Sequence, residues 1–153
     1  LHSFPTRRSS DLLDKTGLKP SLLELEITET TIFDHPDECI CNVKKLRNLG
    51  ITVSIDDFGT GFTSLNYLRK YSFDYLKIDR SYVKEIMESK ETFAIIKAII
   101  FLAHELNLKV VAEGVEEKQT LDYLIDIGCD EIQGYYISKP VPVPEFEKFI
   151  EKE

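Results

Sequence analysis

The chain has 153 residues and a formal net charge of −8 at pH 7, with 42% hydrophobic and 30% charged residues. This length and composition are typical of one globular domain with a sizeable core. The acidic excess argues against a polymeric nucleic acid as partner, which would need a basic surface. Three cysteines without a Cys-x-x-Cys pair argue against zinc and favour free thiols in a reducing cytosol. No apolar run predicts a membrane segment or a signal peptide.

From about residue 13 onwards, apolar spacing predicts strands that alternate with helices. Strands are predicted at residues 22–28, 51–56, 75–79, 109–113 and 131–135. Helices are predicted from Asp34 and Pro36 to Gly50, at residues 63–70 and 93–106, before Gly128, and at residues 145–151. This alternation predicts an α/β fold with a parallel sheet, either an open doubly wound sheet or part of an eight-stranded barrel.

Residues 1–12 do not fit this alternation. They have no useful periodicity, and they resemble the translation of sequencing-adapter DNA. We therefore predict a non-native segment at residues 1–12 and a domain at residues 13–153. A natural disordered arm is the alternative interpretation of the first segment.

The pair Asp56-Asp57 follows a buried apolar strand and precedes Gly59 and Gly61. Two adjacent carboxylates at the end of a buried strand are costly unless a cation neutralises them. Carboxylate oxygens suit hard divalent ions such as Mg²⁺, Mn²⁺ and Ca²⁺. A solvated turn is the alternative interpretation of the pair taken alone.

Strand alternation predicts that further polar side chains share the face of Asp56. One parity of every predicted strand is apolar, whereas the other carries a polar residue near the strand's C-terminal end. These polar residues are Glu26, Asp56, Lys77, Glu113 and Gln133. Strands buried on both faces are normally apolar on both, and active sites of parallel barrels lie at the C-terminal ends of their strands. The pattern therefore predicts an active site at this end of the sheet.

The residue types in this site suit phosphodiester hydrolysis. Glu26, Asp56 and Asp57 are candidate ligands for two metal ions, which can activate a water and stabilise a leaving oxygen. Lys77 is a candidate for orienting the water or neutralising phosphate charge. Glu113 is a candidate proton acceptor or second metal ligand, and the amide of Gln133 is suited to orient the water.

Five segments resemble consecutive motifs of the EAL domain family. They are LELEITE at residues 23–29, DDFGTG at 56–61, LKIDRS at 76–81, VVAEGVE at 110–116 and QGYYISKP at 133–140. The resemblance implies a partial (β/α)8 TIM-like barrel with about the last five of eight strand–helix units. It also implies a bacterial phosphodiesterase that uses Mg²⁺ or Mn²⁺ to open cyclic di-GMP to linear pGpG.

The resemblance also implies roles for individual residues. Glu26, Asp56 and Asp57 match metal ligands, Lys77 and Gln133 match residues that position the hydrolytic water, and Glu113 matches a catalytic glutamate. Glu29 matches a glutamate that holds the loop at residues 58–64, which is tied to metal binding and dimerisation. Glu116 matches a supporting acid of the same site.

The resemblance does not include the Glu-Ala-Leu signature or the metal-binding asparagine of the family, both of which belong upstream of residue 13. We therefore expect the two-metal site to be incomplete and the chain alone to be weakly stable and impaired in activity. A homodimer, a bacterial cytoplasmic location, and a parent protein with upstream sensory or GGDEF domains are also expected. A membrane tether in the parent protein is compatible with this location.

Two other functions are compatible with parts of the pattern. One is a non-catalytic EAL-like module that binds cyclic di-GMP or a protein. The other is an unrelated barrel lyase or aldolase in which Lys77 forms a Schiff base, although the surrounding acids conflict with that chemistry.

Overall fold

A computed structural model of the chain describes residues 6–59 and 65–150. The strands are β1 (Glu24–Thr28), β2 (Thr52–Phe58), β3 (Tyr75–Ile78), β4 (Lys109–Glu113) and β5 (Glu131–Gln133). The helices are α1 (Thr6–Thr16), α2 (Glu29–Asp34), α3 (Pro36–Asn48), α4 (Leu65–Lys70), α5 (Arg80–Glu85), α6 (Lys90–Glu105), α7 (Lys118–Asp126) and α8 (Val143–Ile150). A 3-10 turn at Pro20–Leu22 precedes β1.

The strands form one parallel sheet in the order β1-β2-β3-β4-β5, so each strand lies beside its neighbours in the chain. A doubly wound sheet reverses its strand order at a switch point, and this sheet does not. The order is therefore that of a partial TIM-like barrel, as the resemblance to the EAL family implied, and the open doubly wound alternative is wrong. Within residues 6–59 and 65–150, no strand pairs with the outer edge of β1 or of β5.

The core lies between the sheet and its helices. The apolar parity of the central strands is completely buried, at Val53, Ile55, Leu76, Ile78, Val110 and Ala112. Buried side chains of α3 and α6 belong to the same core, among them Val43, Leu46, Ile96 and Ile100. Full burial of one aliphatic side chain of this size contributes roughly 1.5–3 kcal/mol. The predicted assignment of apolar and polar faces is confirmed.

Two helix–strand units of the chain are built alike. Gly50 and Asn107 each adopt a positive φ, of 82° and 58°, between a helix and the strand that follows it. Ile51 and Leu108 come next, and both are buried. The segments RNLGITV and HELNLKV at residues 47–53 and 104–110 therefore occupy equivalent places in α3–β2 and α6–β4.

Several element boundaries differ from the sequence prediction. His35, rather than Asp34, is the N-cap of α3, and Pro36 is its first helical residue. The short helices α2 and α5 were not predicted, because six residues contain too little periodicity to reveal them. β2 continues through Asp57 to Phe58, so the interpretation of the acid pair as a simple solvated turn is wrong.

The remaining differences lie at the ends of elements. β1 begins at Glu24, β5 ends at Gln133, and α8 begins at Val143. The start of the helix predicted at residues 63–70 lies outside the described residues, and its described part is α4. α1 runs across residue 12 without a break, while the predicted domain boundary there stays a prediction. Among the described helices, none is long and apolar enough to cross a membrane.

Candidate active site

Lys77 lies at the centre of an acidic cluster that four neighbouring strands build. Its Nζ donates a hydrogen bond to Glu26 of β1, lies 2.5 Å from Oε1 of Glu113 of β4, and lies 3.9 Å from Oδ1 of Asp56 of β2. The Lys77 side chain is only 8% exposed. Burial lowers the pKa of Lys77, but hydrogen bonds to Glu113 and Glu26 outweigh burial and raise the pKa above its ordinary value. The residue is therefore held as an ammonium ion.

Strand register explains why these side chains meet. β1 and β2 are paired so that Glu26 is level with Ser54, and Thr28 is level with Asp56. β3 and β4 are paired so that Lys77 is level with Val111. Residues at equivalent heights on neighbouring parallel strands point to the same side of the sheet. The predicted convergence of Glu26, Asp56, Lys77 and Glu113 is therefore what the structure has.

Asp57 adopts an unusual backbone conformation beside this cluster. Its φ is 55°, which is uncommon for any residue with a side chain and costs about 1 kcal/mol or more. Its N–H donates a 3.0 Å hydrogen bond to Oδ1 of Asp56. Burial raises the pKa of Asp57, as do the charges of Asp56 and Asp79, while Lys77 opposes this shift. The surroundings of Asp57 thus disfavour the charged form of its carboxyl group.

The same turn occurs after Glu113. Gly114 has a φ of 73° and follows Glu113, as Asp57 follows Asp56. These two pairs occupy equivalent places in the repeated helix–strand units. In β2 the left-handed residue coincides with the register shift between Ile55 and Phe58, and in β4 it follows the last residue of the strand.

Gln133 and Glu116 are placed differently from the central cluster. Gln133 is level with Glu113 in the register of β4 and β5, and it is exposed. Glu116 is also exposed, and its Oε1 lies 3.7 Å from Nζ of Lys84 on α5. Register therefore puts Gln133 beside the cluster, whereas the ion pair of Glu116 connects it to α5 instead.

Glu29 is buried behind the loop that follows β2. Its Oε2 accepts a 3.0 Å hydrogen bond from the backbone N–H of Gly59. The loop-holding role expected of Glu29 stays a prediction, because only the first two residues of the loop at residues 58–64 are described. The sequence analysis missed a second contact with this glycine: Oη of Tyr82 donates a 2.7 Å hydrogen bond to the carbonyl of Gly59.

The donor set fits hard divalent ions. Over residues 6–59 and 65–150, no three His, Cys, Asp or Glu side chains already converge in a metal-binding geometry. Glu26, Asp56 and Glu113 nevertheless lie within ion-pair distance of one ammonium ion, so the carboxylates outnumber the positive charge. Asp57 follows Asp56 and is influenced by the charge of Lys77. Their oxygen atoms are the ligand type that Mg²⁺ and Mn²⁺ prefer.

The fold and the inward-facing carboxylates define an α/β domain of the TIM-barrel type. Comparison with known proteins then identifies the particular family, because the family model described as "EAL domain" matches residues 2–140. The chain belongs to the EAL domain family, as its motifs indicated.

Individual relatives agree with this assignment. The chain is 46% identical over 138 residues to "Cyclic di-GMP phosphodiesterase NbdA" of Pseudomonas aeruginosa, an alignment that covers 90% of the chain and 18% of NbdA. It is also 43% identical over 140 residues to "Signaling protein YkoW" of Bacillus subtilis, covering 92% of the chain and 18% of YkoW. The chain thus spans about a fifth of the length of the curated relatives it matches.

Solved structures share the fold. The PaMucR phosphodiesterase, solved as a c-di-GMP complex, superimposes with a TM-score of 0.91 at 37% identity, over 95% of the chain and 59% of the solved chain.

Proposed function

We propose that this chain is the catalytic part of a phosphodiesterase domain that hydrolyses cyclic di-GMP to linear pGpG. The observation that carries the proposal is the placement of Lys77 among the carboxylates of Glu26, Asp56 and Glu113, at the C-terminal ends of parallel strands. The relatives NbdA and MucR, whose names describe cyclic di-GMP phosphodiesterases, support the substrate.

Glu26, Asp56 and Asp57 would hold two divalent ions, Mg²⁺ or Mn²⁺. Such ions supply activation of a water and charge neutralisation at the leaving oxygen when they are bound. A structure of Klebsiella pneumoniae BlrP1, described as a manganese/cy-diGMP complex, supports this requirement.

The chain's own residues provide positioning and proton transfer. The ammonium group of Lys77 orients the attacking water and offsets charge on the phosphate. In this proposal Oε1 of Glu113, which lies 2.5 Å from Nζ of Lys77, accepts the proton from that water. The side chain of Gln133, level with Glu113 on the next strand, orients the same water. Glu29 and Glu116 support the surrounding loops.

The chain alone is expected to turn over weakly. Within the described residues, the outer edges of β1 and β5 are unpaired, and Val143, Phe146 and Phe149 of α8 are each more than half exposed. Both features favour self-association and low stability. We also propose a cytoplasmic location in a bacterium, homodimerisation near the loop after Asp57, and sensory or GGDEF domains in the parent protein.

The second candidate is a non-catalytic module that binds cyclic di-GMP. It is favoured by the close contacts of Lys77 with Glu26 and Glu113, which occupy the ammonium group that would otherwise face a water. A Schiff-base enzyme is less favoured, because an amine held as an ammonium ion by three carboxylates is a poor nucleophile.

One experiment separates these functions. The purified chain is incubated with cyclic di-GMP in Mn²⁺, in Mg²⁺ and in chelator, and the products are resolved by chromatography while calorimetry measures binding. Metal-dependent formation of pGpG supports the enzyme. Fast turnover would contradict the expectation that the chain alone is impaired. Binding without product supports the receptor, and neither binding nor product contradicts both.

Variants sharpen the test. Glu113→Gln should abolish product formation while leaving binding of cyclic di-GMP within about threefold, because the amide keeps the shape but cannot accept the proton. Glu131→Gln is the matched control, since Glu131 is an exposed glutamate on the neighbouring strand. Equal activity of both variants would contradict the role of Glu113.

A further inference from the structure

Gly59 lies shortly after the acid pair, and both of its backbone polar groups form hydrogen bonds with side chains of the short helices α2 and α5. Its N–H donates to Oε2 of Glu29, which follows β1, over 3.0 Å. Its carbonyl accepts from Oη of Tyr82, which follows β3, over 2.7 Å. The start of the segment that follows β2 is therefore held by one residue from the helix that follows β1 and one from the helix that follows β3.

The ring of Tyr82 also packs against Gly59. A Cβ atom built on Gly59 would lie 3.1 Å from Cε2 of Tyr82, which is tighter than an ordinary contact. Gly59 adopts a φ of 102°, a conformation that residues with side chains avoid. Close packing and a hydrogen bond therefore act on the same residue.

Tyr82 is itself fixed to the strand that carries Lys77. Asp79 directly follows β3 and caps α5, where its side chain accepts a 2.9 Å hydrogen bond from the N–H of Ser81. The N–H of Tyr82 donates to the carbonyl of Asp79 over 3.1 Å. A short, rigid connection therefore runs from β3, through Asp79 and Tyr82, to the backbone of Gly59.

We propose that Tyr82 is a positioning residue, which fixes the carboxylates of Asp56 and Asp57 relative to Lys77 by holding Gly59. This inference rests on the proposed function, in which those two carboxylates bind divalent ions. Asp57 has a left-handed backbone, a strained conformation that persists only where surrounding contacts hold it. The hydrogen bond from Tyr82 to Gly59 is such a contact.

Tyr82→Phe tests the proposal because it removes the hydroxyl and keeps the ring. Mn²⁺ alone is titrated into the chain and followed by calorimetry, and amide hydrogen exchange is measured over residues 56–59. We expect Mn²⁺ affinity to fall roughly tenfold, as for loss of other groups that support metal ligands, and exchange to become faster. Melting temperature should change little.

Tyr123→Phe is the matched control, because Tyr123 packs on Phe93 in α6, with ring centroids 4.9 Å apart, away from the acid cluster. It should leave Mn²⁺ affinity and exchange at residues 56–59 unchanged. Mn²⁺ binding by Tyr82→Phe at wild-type affinity, in a chain that binds Mn²⁺, would overturn the role of Tyr82 alone. A wild-type chain that does not bind Mn²⁺ would instead contradict the proposed function, and with it this inference.

Discussion

Asp130 accepts hydrogen bonds from His104 and from the start of β4 with one carboxylate oxygen. Nε2 of His104 lies 2.8 Å from Oδ2 of Asp130, and the backbone N–H of Val110 donates to the same oxygen over 2.8 Å. Asp130 directly precedes β5, so its carboxylate connects three elements: α6, β4 and β5. The contact lies at the N-terminal end of the sheet, opposite the candidate site.

This arrangement predicts a pH-dependent contribution to stability. Burial alone would raise the pKa of Asp130, but hydrogen bonds from His104 and Val110 outweigh it and lower the pKa below its ordinary value. The stabilisation is therefore complete above the unfolded-state pKa of about 3.9 and is lost as the pH falls through the lower folded-state value. Asp130→Asn should cost about 1 kcal/mol at pH 7, with a smaller difference below pH 4.

Urea denaturation of both proteins at several pH values measures this difference. Asp122→Asn is the control, because Asp122 pairs with Lys118 on the exposed face of α7 over 2.6 Å. Exposed pairs of this kind contribute well under about 1 kcal/mol. A constant difference between Asp130→Asn and wild type from pH 7 to pH 3 would refute the linkage.

Lys77→Met tests the charge balance of the candidate site. The substitution keeps an apolar chain of similar length but leaves Glu26, Asp56 and Glu113 without their shared cation. We expect a loss of about 2 kcal/mol in chelator, below the usual cost for fully buried pairs because Glu26 is 48% exposed.

The measurement is again a urea midpoint, taken in chelator so that no divalent ion replaces the ammonium group. Lys109→Met is the control, since Nζ of Lys109 lies 3.9 Å from Glu131 and both side chains are at least half exposed. The control should stay within about 0.5 kcal/mol of wild type. Equal midpoints for the two variants would show that Lys77 does not stabilise the cluster.

Strand periodicity was sufficient to predict the sheet and most of the candidate cluster. Each of Glu26, Asp56, Lys77 and Glu113 interrupts an apolar strand at its C-terminal end, and parallel strands bring such positions together. The helices α2 and α5 were beyond this reasoning, because the packing of neighbouring strands stabilises such short segments more than their own pattern does. Tyr82 could not be predicted either, because its partner Gly59 is distant in sequence and only the fold brings the two together.

The two repeated units also share the contacts that hold the start of each strand. Arg47 pairs with Asp74 over 2.9 Å, and the other oxygen of Asp74 accepts from the N–H of Val53 over 2.9 Å. His104, Asp130 and Val110 make the equivalent contacts one repeat later. The similar sequences RNLGITV and HELNLKV therefore predict similar contacts between the end of the helix and the start of the strand in both units.

Gly134→Ala should force apart the chain segments that follow β4 and β5, which approach each other closely at Gly134 and Val115. A Cβ atom on Gly134 would lie 2.1 Å from the carbonyl oxygen of Val115 and 2.3 Å from its nitrogen. The N–H of Val115 donates to the carbonyl of Gln133 over 3.1 Å, and the carbonyl of Val115 accepts from the N–H of Tyr136 over 3.0 Å. Because backbone cannot yield as a flexible side chain does, we expect a loss of about 2 kcal/mol.

Thermal denaturation and amide exchange at Val115 and Tyr136 measure the effect of Gly134→Ala. Ser138→Ala in the same connection is the control, since the Ser138 hydroxyl bonds only the exposed carbonyl of Lys139 among the described contacts. It should change stability by less than about 0.5 kcal/mol. Unchanged exchange at Val115 in Gly134→Ala would contradict the close approach of the two connections.

The three cysteines should differ sharply in reactivity, because the thiolate is the reactive form. Burial raises the pKa of Cys39 to about 11, with a smaller contribution from Glu38, and burial also raises the pKa of Cys129 to about 11. At pH 8 only about one in a thousand of either thiol is therefore ionised. Cys41 is exposed on α3.

A thiol reagent at pH 8 should thus label about one cysteine per native chain, and all three after unfolding in urea. Cys41→Ser should reduce native labelling to nearly zero, whereas Cys129→Ser should leave its fast phase unchanged. Raising the pH towards 10 should increase labelling of Cys129 before that of Cys39, because Cys39 has no exposed surface. Rapid native labelling of Cys39 at pH 8 would show that α3 does not stay packed against the sheet, which would also remove a support of the strand that carries Asp56.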